Sequence, residues 1–229
     1  MVQRTSPHSH HRSAPGPEIR SAATALLTID LQYHGADRGH GLLKARIDSG
    51  EASAIEYFAS RVDESVIPAV RRLQDAFRSN GMEVMHVKTE SLTLDGRDRS
   101  LTAKLHGSHV PPGSREGQIL DDIAPVGDEI VLAKTCPGVF NGTNIEYLLR
   151  NLGISTLVVG GVVTGSCVEA AVRDASDKGF RVVLVEDATA SWSADMQSAA
   201  IESMRGRSAT IMTSHEVVER LTGDASAGH

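Results

Sequence analysis

Residues 155–191 read STLVVGGVVTGSCVEAAVRDASDKGFRVVLVEDATAS, and this stretch decides the fold. Residues 157–163 are apolar and β-branched, the pattern of a strand buried on both faces. Gly160, Gly161 and Gly165 allow a tight turn. Val168, Ala171, Val172 and Ala175 then recur at helical spacing, and Gly179 supplies a stop. Residues 181–185 form a second buried strand, closed by the acidic pair Glu186 and Asp187. Cys167 therefore falls where a parallel strand gives way to a helix. Free backbone N–H groups and the positive end of the helix dipole meet there, so the thiol is expected to tend toward the thiolate.

Working outward, two more apolar strands end in a charge. Residues 23–31, ATALLTIDL, carry Asp30 at their end, and residues 129–134 end in Lys134. An acid or an ammonium at the end of an apolar strand is costly unless it is paired or used. Taken alone, Asp30 reads first as a cap of the following loop, where Asp is common. Residues 32–50 read as a polar surface loop over the first strand end; His34, Asp37 and His40 within it fit no strong ligand spacing. Ile55, Phe58, Val62, Val66, Val70, Leu73 and Phe77 mark a long amphipathic helix, kinked or restarted at Pro68. A strand follows at 82–89. Residues 91–128 are long for a connection, so a functional role or packing on a neighbouring subunit is expected. Arg97 and Arg99 there sit among Asp95 and Asp98; they are candidates to hold a substrate carboxylate, although local ion pairing is the commoner role for such residues. A short helix at 144–152, a helix around 195–204, a strand at 209–212 and a closing helix at 214–221 complete the chain. Thr213 and Glu216 have capping-box spacing.

This alternation predicts an α/β fold, a doubly wound parallel sheet with right-handed crossovers. Such sheets bind ligands at the carboxyl ends of their strands. Asp30, Lys134 and Cys167 each fall at such an end, which joins a thiol, a proton acceptor and a cation on one rim.

Composition narrows the classes. The chain has 229 residues and a formal net charge of −6, with no basic footprint for nucleic acid or an anionic membrane. Its two cysteines, Cys136 and Cys167, exclude a disulfide scaffold. No membrane-spanning run and no signal peptide are expected, and a reducing cytoplasm is the expected compartment. Residues 1–21, rich in Pro, Ser, His and Arg, read as a tail or surface-laid arm. His8, His10 and His11 there read as solvated tail rather than metal ligands. Residues 22–223 form one domain, and 224–229 a short C-terminal tail.

Three motifs in this order, LLTIDLQ (26–32), LAKTCPGVFNGT (132–143) and GGVVTGSCVEAAVRDASDKGF (160–180), resemble the isochorismatase-like cysteine hydrolases. That family includes nicotinamidase and the N-carbamoylsarcosine, ureidoacrylate and biuret amidohydrolases. The resemblance covers roughly residues 23–221. It implies a six-stranded parallel sheet flanked by helices and an Asp–Lys–Cys triad, which maps onto Asp30, Lys134 and Cys167. It also implies a cis peptide bond at Val162–Val163, which would aim the N–H groups of Val163 and Cys167 at an oxyanion. Gln32, Tyr33, Glu90, Phe140 and Asn141 are the candidate substrate contacts. Nicotinamidases carry an Asp-x-His metal motif after the second strand; here that region reads TESLTLDG (89–96), with Glu90 and Leu92 at the ligand positions. No catalytic metal and no cofactor are therefore expected. Retention of Cys167 points to a C–N bond rather than the vinyl ether of isochorismate. Gly165 stands where the family has a polar residue, which would widen the pocket. The expected activity is hydrolysis of a small amide, ureide or carbamoyl compound through a thioester, by a homodimer or homotetramer.

Two other readings stay open. Gly160, Gly161 and Gly165, with Glu186 further on, imitate a dinucleotide fingerprint, although that pattern needs glycine where Val162 stands. A noncatalytic nucleotide-binding module or a subunit-interaction scaffold on the same fold would read similarly.

Overall fold

A computed structural model describes residue 19 and residues 21–225 of the chain. The elements alternate as expected. Strand β1 (Thr24–Ile29) is followed by helices α1 (Tyr33–Ala36), α2 (Gly41–Asp48), α3 (Ala52–Arg61) and α4 (Ile67–Ser79). Then come β2 (Glu83–Thr89), α5 (Leu101–Leu105), β3 (Ile130–Lys134), α6 (Val139–Gly142) and α7 (Ile145–Asn151). The last part holds β4 (Thr156–Val162), α8 (Glu169–Asp177), β5 (Arg181–Ala190), α9 (Ala194–Met204), β6 (Thr210–Met212) and α10 (Ser214–Ala225). The six strands form one sheet in the order β3-β2-β1-β4-β5-β6, and every pairing is parallel.

Strand alternation builds a core on each face. In β1, Leu26 joins one core with Phe58, Val70, Leu73 and Phe77 of α3 and α4 and Val217 of α10. Ala25, Leu27 and Ile29 join the other, with Leu149 of α7, Val172 of α8 and Met204 of α9. Each such aliphatic or aromatic side chain, fully withdrawn from water, contributes about 1.5–3 kcal/mol relative to exposure. Helices on both faces explain why the central strands read as continuous apolar runs. Connections run outward from β1 in one direction and from β4 in the other. The strand order therefore reverses between β1 and β4, and the carboxyl ends of those two strands flank the crevice.

Several local expectations are corrected. Residues 32–50 are not a plain loop but hold α1 and α2. Gly41, with φ 50°, lets them fold back on each other; a Cβ there would lie 2.2 Å from the His34 carbonyl oxygen. The restart expected at Pro68 is present: a wide π-type turn, Val62–Val66, joins α3 to α4, which begins at Ile67. Proline has no N–H to return to the preceding turn, and it sits at the start of α4, where none is needed. Strand β5 does not stop before Glu186 and Asp187. It bulges there, so that Leu184 pairs with Val159 but Thr189 with Gly161. The Asp187 carboxylate accepts bonds from Ser214 N (2.7 Å) and Oγ (2.6 Å), tying the bulge to α10. The capping box of α10 is present: Thr213 N donates to Glu216 Oε2 (2.7 Å), and Glu216 N to Thr213 Oγ1 (3.3 Å).

Ile19 is buried in the first core, and α10 runs on to Ala225. The remainder of the expected N-terminal tail, with His8, His10 and His11, lies outside the described residues. No helix among the described residues is long and apolar enough to cross a membrane.

Gly161 is the tightest point of the sheet. Its φ is 130°, and a Cβ would lie 2.2 Å from the Ile29 carbonyl oxygen of β1. Gly161→Ala combines backbone strain with a clash that neighbouring backbone cannot relieve. It should lower unfolding free energy in urea by more than about 3 kcal/mol, or prevent accumulation of folded protein.

Candidate active site

Four strand ends deliver polar groups to the crevice. Asp30 leaves β1 with φ 57°, a left-handed conformation that Asp tolerates better than branched residues, and its N–H donates to Val87 O (2.8 Å). Thr89 and Lys134 are the last residues of β2 and β3, paired directly across the ladder. Cys167 lies in the turn Thr164–Val168 between β4 and α8.

The ammonium of Lys134 is the centre of the arrangement. Its Nζ lies 2.9 Å from Asp30 Oδ2, donates to Thr89 Oγ1 at 3.0 Å and reaches Cys167 Sγ at 3.6 Å. Its three N–H donors thus have three partners. The Thr89 hydroxyl in turn donates to Asp30 Oδ1 (3.1 Å). The Lys134 side chain is 1% exposed. Helix α6 closes over its stem, where a Cβ on Gly142 would lie 3.1 Å from Lys134 Cβ.

Burial opposes the charge on Lys134, but the attraction of Asp30 and Cys167 outweighs it and holds the ammonium above the ordinary lysine range. Cys167 behaves in the opposite sense. Burial, then the negative charge of Asp30, push the thiol up to about 12 against the pull of Lys134. This corrects the expectation of a ready thiolate. The helix end and the cation are present, but desolvation is the larger effect and the nearest full charge on Lys134 is shared with a carboxylate. At neutral pH the Cys167 side chain is therefore a neutral thiol. The peptide bond Val162–Val163 is cis.

Residues 24–216 match the isochorismatase domain. The chain belongs to the isochorismatase family. It is similar to the N-carbamoylsarcosine amidase of an Arthrobacter species, with 35% identity over 126 residues, 53% of this chain and 48% of that one. This match spans about half the relative's length. It is also similar to the ureidoacrylate amidohydrolase RutB of Agrobacterium fabrum, with 27% identity across 75% of this chain and 77% of that one. Among solved structures, a cysteine hydrolase from Pseudomonas syringae pv. phaseolicola superposes with a TM-score of 0.77, covering 92% of this chain and 99% of that one at 20% identity. The N-carbamoylsarcosine amidase of Thermoplasma acidophilum gives 0.64 at 24% identity, covering 84% and 96%. The two structures share the fold: six parallel strands flanked by helices. The chain is thus an isochorismatase-family hydrolase with amidase-named relatives.

Against this family background, most of the expected substrate contacts have other employment. Gln32 is buried, and its side chain is committed to backbone: Nε2 donates to Thr89 O (2.8 Å) and Glu116 O (3.0 Å), and Oε1 accepts from Thr89 N (2.6 Å). It fastens the end of β2 and carries no free donor for a substrate. Glu90 pairs with Lys88 (2.9 Å) and accepts from Gly113 N (3.1 Å), tethering the 91–128 segment. Phe140 packs toward Phe180, ring centroids 6.1 Å apart, in the helix layer. Tyr33 lies under the Arg115 guanidinium (3.8 Å) with the His40 ring at its edge. Asn141 is exposed and folds against Gly138. The φ of Gly165 is ordinary, and a Cβ there would meet Ala200 of α9 at 3.5 Å.

The loop groups do not converge either. His40 Nδ1 bonds Asp37 Oδ1 (2.6 Å), whereas His34 Nε2 meets Ser108 Oγ (3.1 Å). Arg97 pairs with Asp95 at the surface, and Arg99 donates to the carbonyls of Gly96 and Ser108. No group of three or more His, Cys, Asp or Glu among the described residues is placed to hold a metal ion. Thr89 is the site residue that sequence reasoning missed. The signal available was its place as the polar end of β2, one strand from Asp30.

Only the thiolate is alkylated, so a pKa raised from 9.0 to about 12 fixes the pH dependence. In a Cys136→Ser background, carboxamidomethylation of Cys167 should climb about ten-fold per pH unit from pH 7 to pH 10. A plateau already reached by pH 8, followed by mass spectrometry of the modified protein, would identify a resting thiolate instead.

Proposed function

We propose that this protein is a cysteine-dependent amidohydrolase that cleaves a C–N bond of a small amide, ureide or carbamoyl compound and releases ammonia or an amine. The observation that carries the reading is one buried ammonium, Lys134, in contact with both a carboxylate and a thiol at the carboxyl rim of a parallel sheet. The names of the amidase relatives support it.

In this reading Cys167 Sγ attacks the carbonyl carbon while its proton passes to Asp30. A thiol held neutral until that moment needs an acceptor nearby, and Asp30 shares the Lys134 ammonium with the sulfur. Lys134 compensates the negative charge as the sulfur loses its proton. The N–H groups of Val163 and Cys167 receive the oxyanion. As the tetrahedral adduct collapses, the C–N bond breaks and Asp30 returns the proton to the leaving nitrogen. Water, deprotonated by the same carboxylate, then attacks the thioester, and the thiol recovers its proton. No step calls on a metal or an organic cofactor.

The dinucleotide-binding alternative is weakened by the use made of its glycines. Gly160 and Gly161 lie inside β4, packed against Ala188 and Ile29, rather than in a phosphate-binding turn. A homodimer or homotetramer in the cytoplasm completes the proposal. Leu92, Leu94, Leu101 and Leu105, each 73–78% exposed on the 91–128 segment, supply apolar surface for a subunit contact.

A panel of primary amides, ureides and carbamoyl acids, assayed for ammonia release, should yield a substrate whose turnover survives exhaustive chelation. Cys167→Ala and Cys167→Ser should then lower kcat at least about a thousand-fold with the circular dichroism spectrum unchanged. Near wild-type turnover by Cys167→Ala would remove the nucleophile assignment.

A further inference from the structure

The turn that carries Cys167 is held from behind by a buried polar chain. The Thr164 hydroxyl donates to Gln197 Oε1 (2.7 Å), and Gln197 Nε2 donates to Thr189 Oγ1 (3.0 Å). The Thr189 hydroxyl donates to the Glu186 carbonyl (3.2 Å), and the guanidinium of Arg61 holds the Thr189 and Glu186 carbonyls at 2.8 and 2.7 Å. Thr164 and Thr189 are 0% exposed and Gln197 6%.

The placement is specific. Thr189 pairs with Gly161 in the β4–β5 ladder, and Ala190 pairs with Val162, the last residue of β4. Thr164 is the first residue of the thiol turn. Gln197, on α9, therefore ties the tip of β5 to the turn that departs from β4. Only Val163 stands between that strand and Thr164, and only Gly165 and Ser166 between Thr164 and Cys167. Gly165 and Ser166 offer the turn little stiffness of their own. The Thr164–Gln197 bond ties the turn to α9 by side-chain hydrogen bonding, beside the apolar packing of Val168 with Ala200 and Ile201.

An apolar residue would fill the Gln197 position as well as a core demands. It would leave the Thr164 hydroxyl buried without a partner, a condition that folded proteins avoid. The bonds of Gln197 are thus spent on the orientation of one turn, and packing alone does not explain them.

We propose that Gln197, acting through Thr164, is a positioning residue that fixes the backbone from Val163 to Cys167 for the hydrolytic reaction. The inference rests on the amidohydrolase reading for its catalytic consequence, though not for its structural one. Neither side chain is assigned contact with substrate. Their effect falls on the angle of thiol attack and on the aim of the two N–H groups, where displacements of about 1 Å cost on the order of a hundred-fold in rate.

The experiment compares Gln197→Leu, Thr164→Val, the double variant and Thr164→Ser. For each single variant kcat should fall roughly ten- to a hundred-fold while KM stays within about three-fold. The double variant should be no worse than the poorer single one, because both remove the same link. Thr164→Ser keeps the hydroxyl and should stay within about three-fold of wild type. Amide hydrogen exchange followed by mass spectrometry gives a readout independent of activity. Exchange across residues 163–168 should accelerate in Gln197→Leu and Thr164→Val while β1 and β2 keep wild-type protection. Folded variants with wild-type kcat and wild-type exchange in the turn would overturn the inference. So would acceleration spread evenly over the sheet, which marks a general loss of stability. A wild-type protein inactive on every substrate class would count against the amidohydrolase reading, and turn exchange alone would then decide the positioning claim.

Discussion

An ammonium withdrawn from water is the constraint on which the rest of this structure depends. Lys134 is 1% exposed, and removing either partner of such a buried pair typically costs about 3–5 kcal/mol. Its surroundings are consequently complete: Asp30 supplies the countercharge, Thr89 accepts a second bond, and the sulfur of Cys167 takes the third. In the proposed reaction the same three contacts set a carboxylate and a thiol against one cation, with the thiol proton firmly held by burial.

That cluster exists because of the sheet. Asp30, Thr89 and Lys134 sit on neighbouring strand ends in the order β1, β2, β3, and Cys167 follows β4 on the other side of β1. Parallel strands put all four ends on one rim. The reversal of strand order between β1 and β4 leaves an opening there, and close approach at Gly161 brings the two strands together just before the thiol turn. The bulge in β5 then lets Thr189 reach Gln197 beneath that turn.

The large features were legible in the sequence because they rest on local periodicity. Apolar runs ending in Asp30 and Lys134, and the strand–turn–helix around Cys167, stand out from their neighbours. What escaped depends on tertiary surroundings. Thr89 is an unremarkable strand residue until β1 and β3 flank it. Gln32 follows Asp30 in a conspicuous motif, yet its amide is consumed by the backbone at Thr89 and Glu116. The bulge at Glu186 and Asp187 is invisible because a strand with an extra loop of backbone has the same composition as a strand with a polar end. The ionisation of Cys167 is hidden in the sequence for a related reason. The helix terminus is readable from sequence, whereas the depth of burial and the charge of Asp30 that outweigh it are not.

The most direct test is whether the substrate's acyl group is ever attached to Cys167. Wild-type protein mixed with its best amide, quenched in acid within the first turnover and digested should yield the peptide around Cys167 with the mass of the acyl group added. That adduct should be absent from Cys167→Ala and released by hydroxylamine. Turnover with no adduct on this peptide, or an adduct that persists in Cys167→Ala, would contradict a thioester route through this thiol.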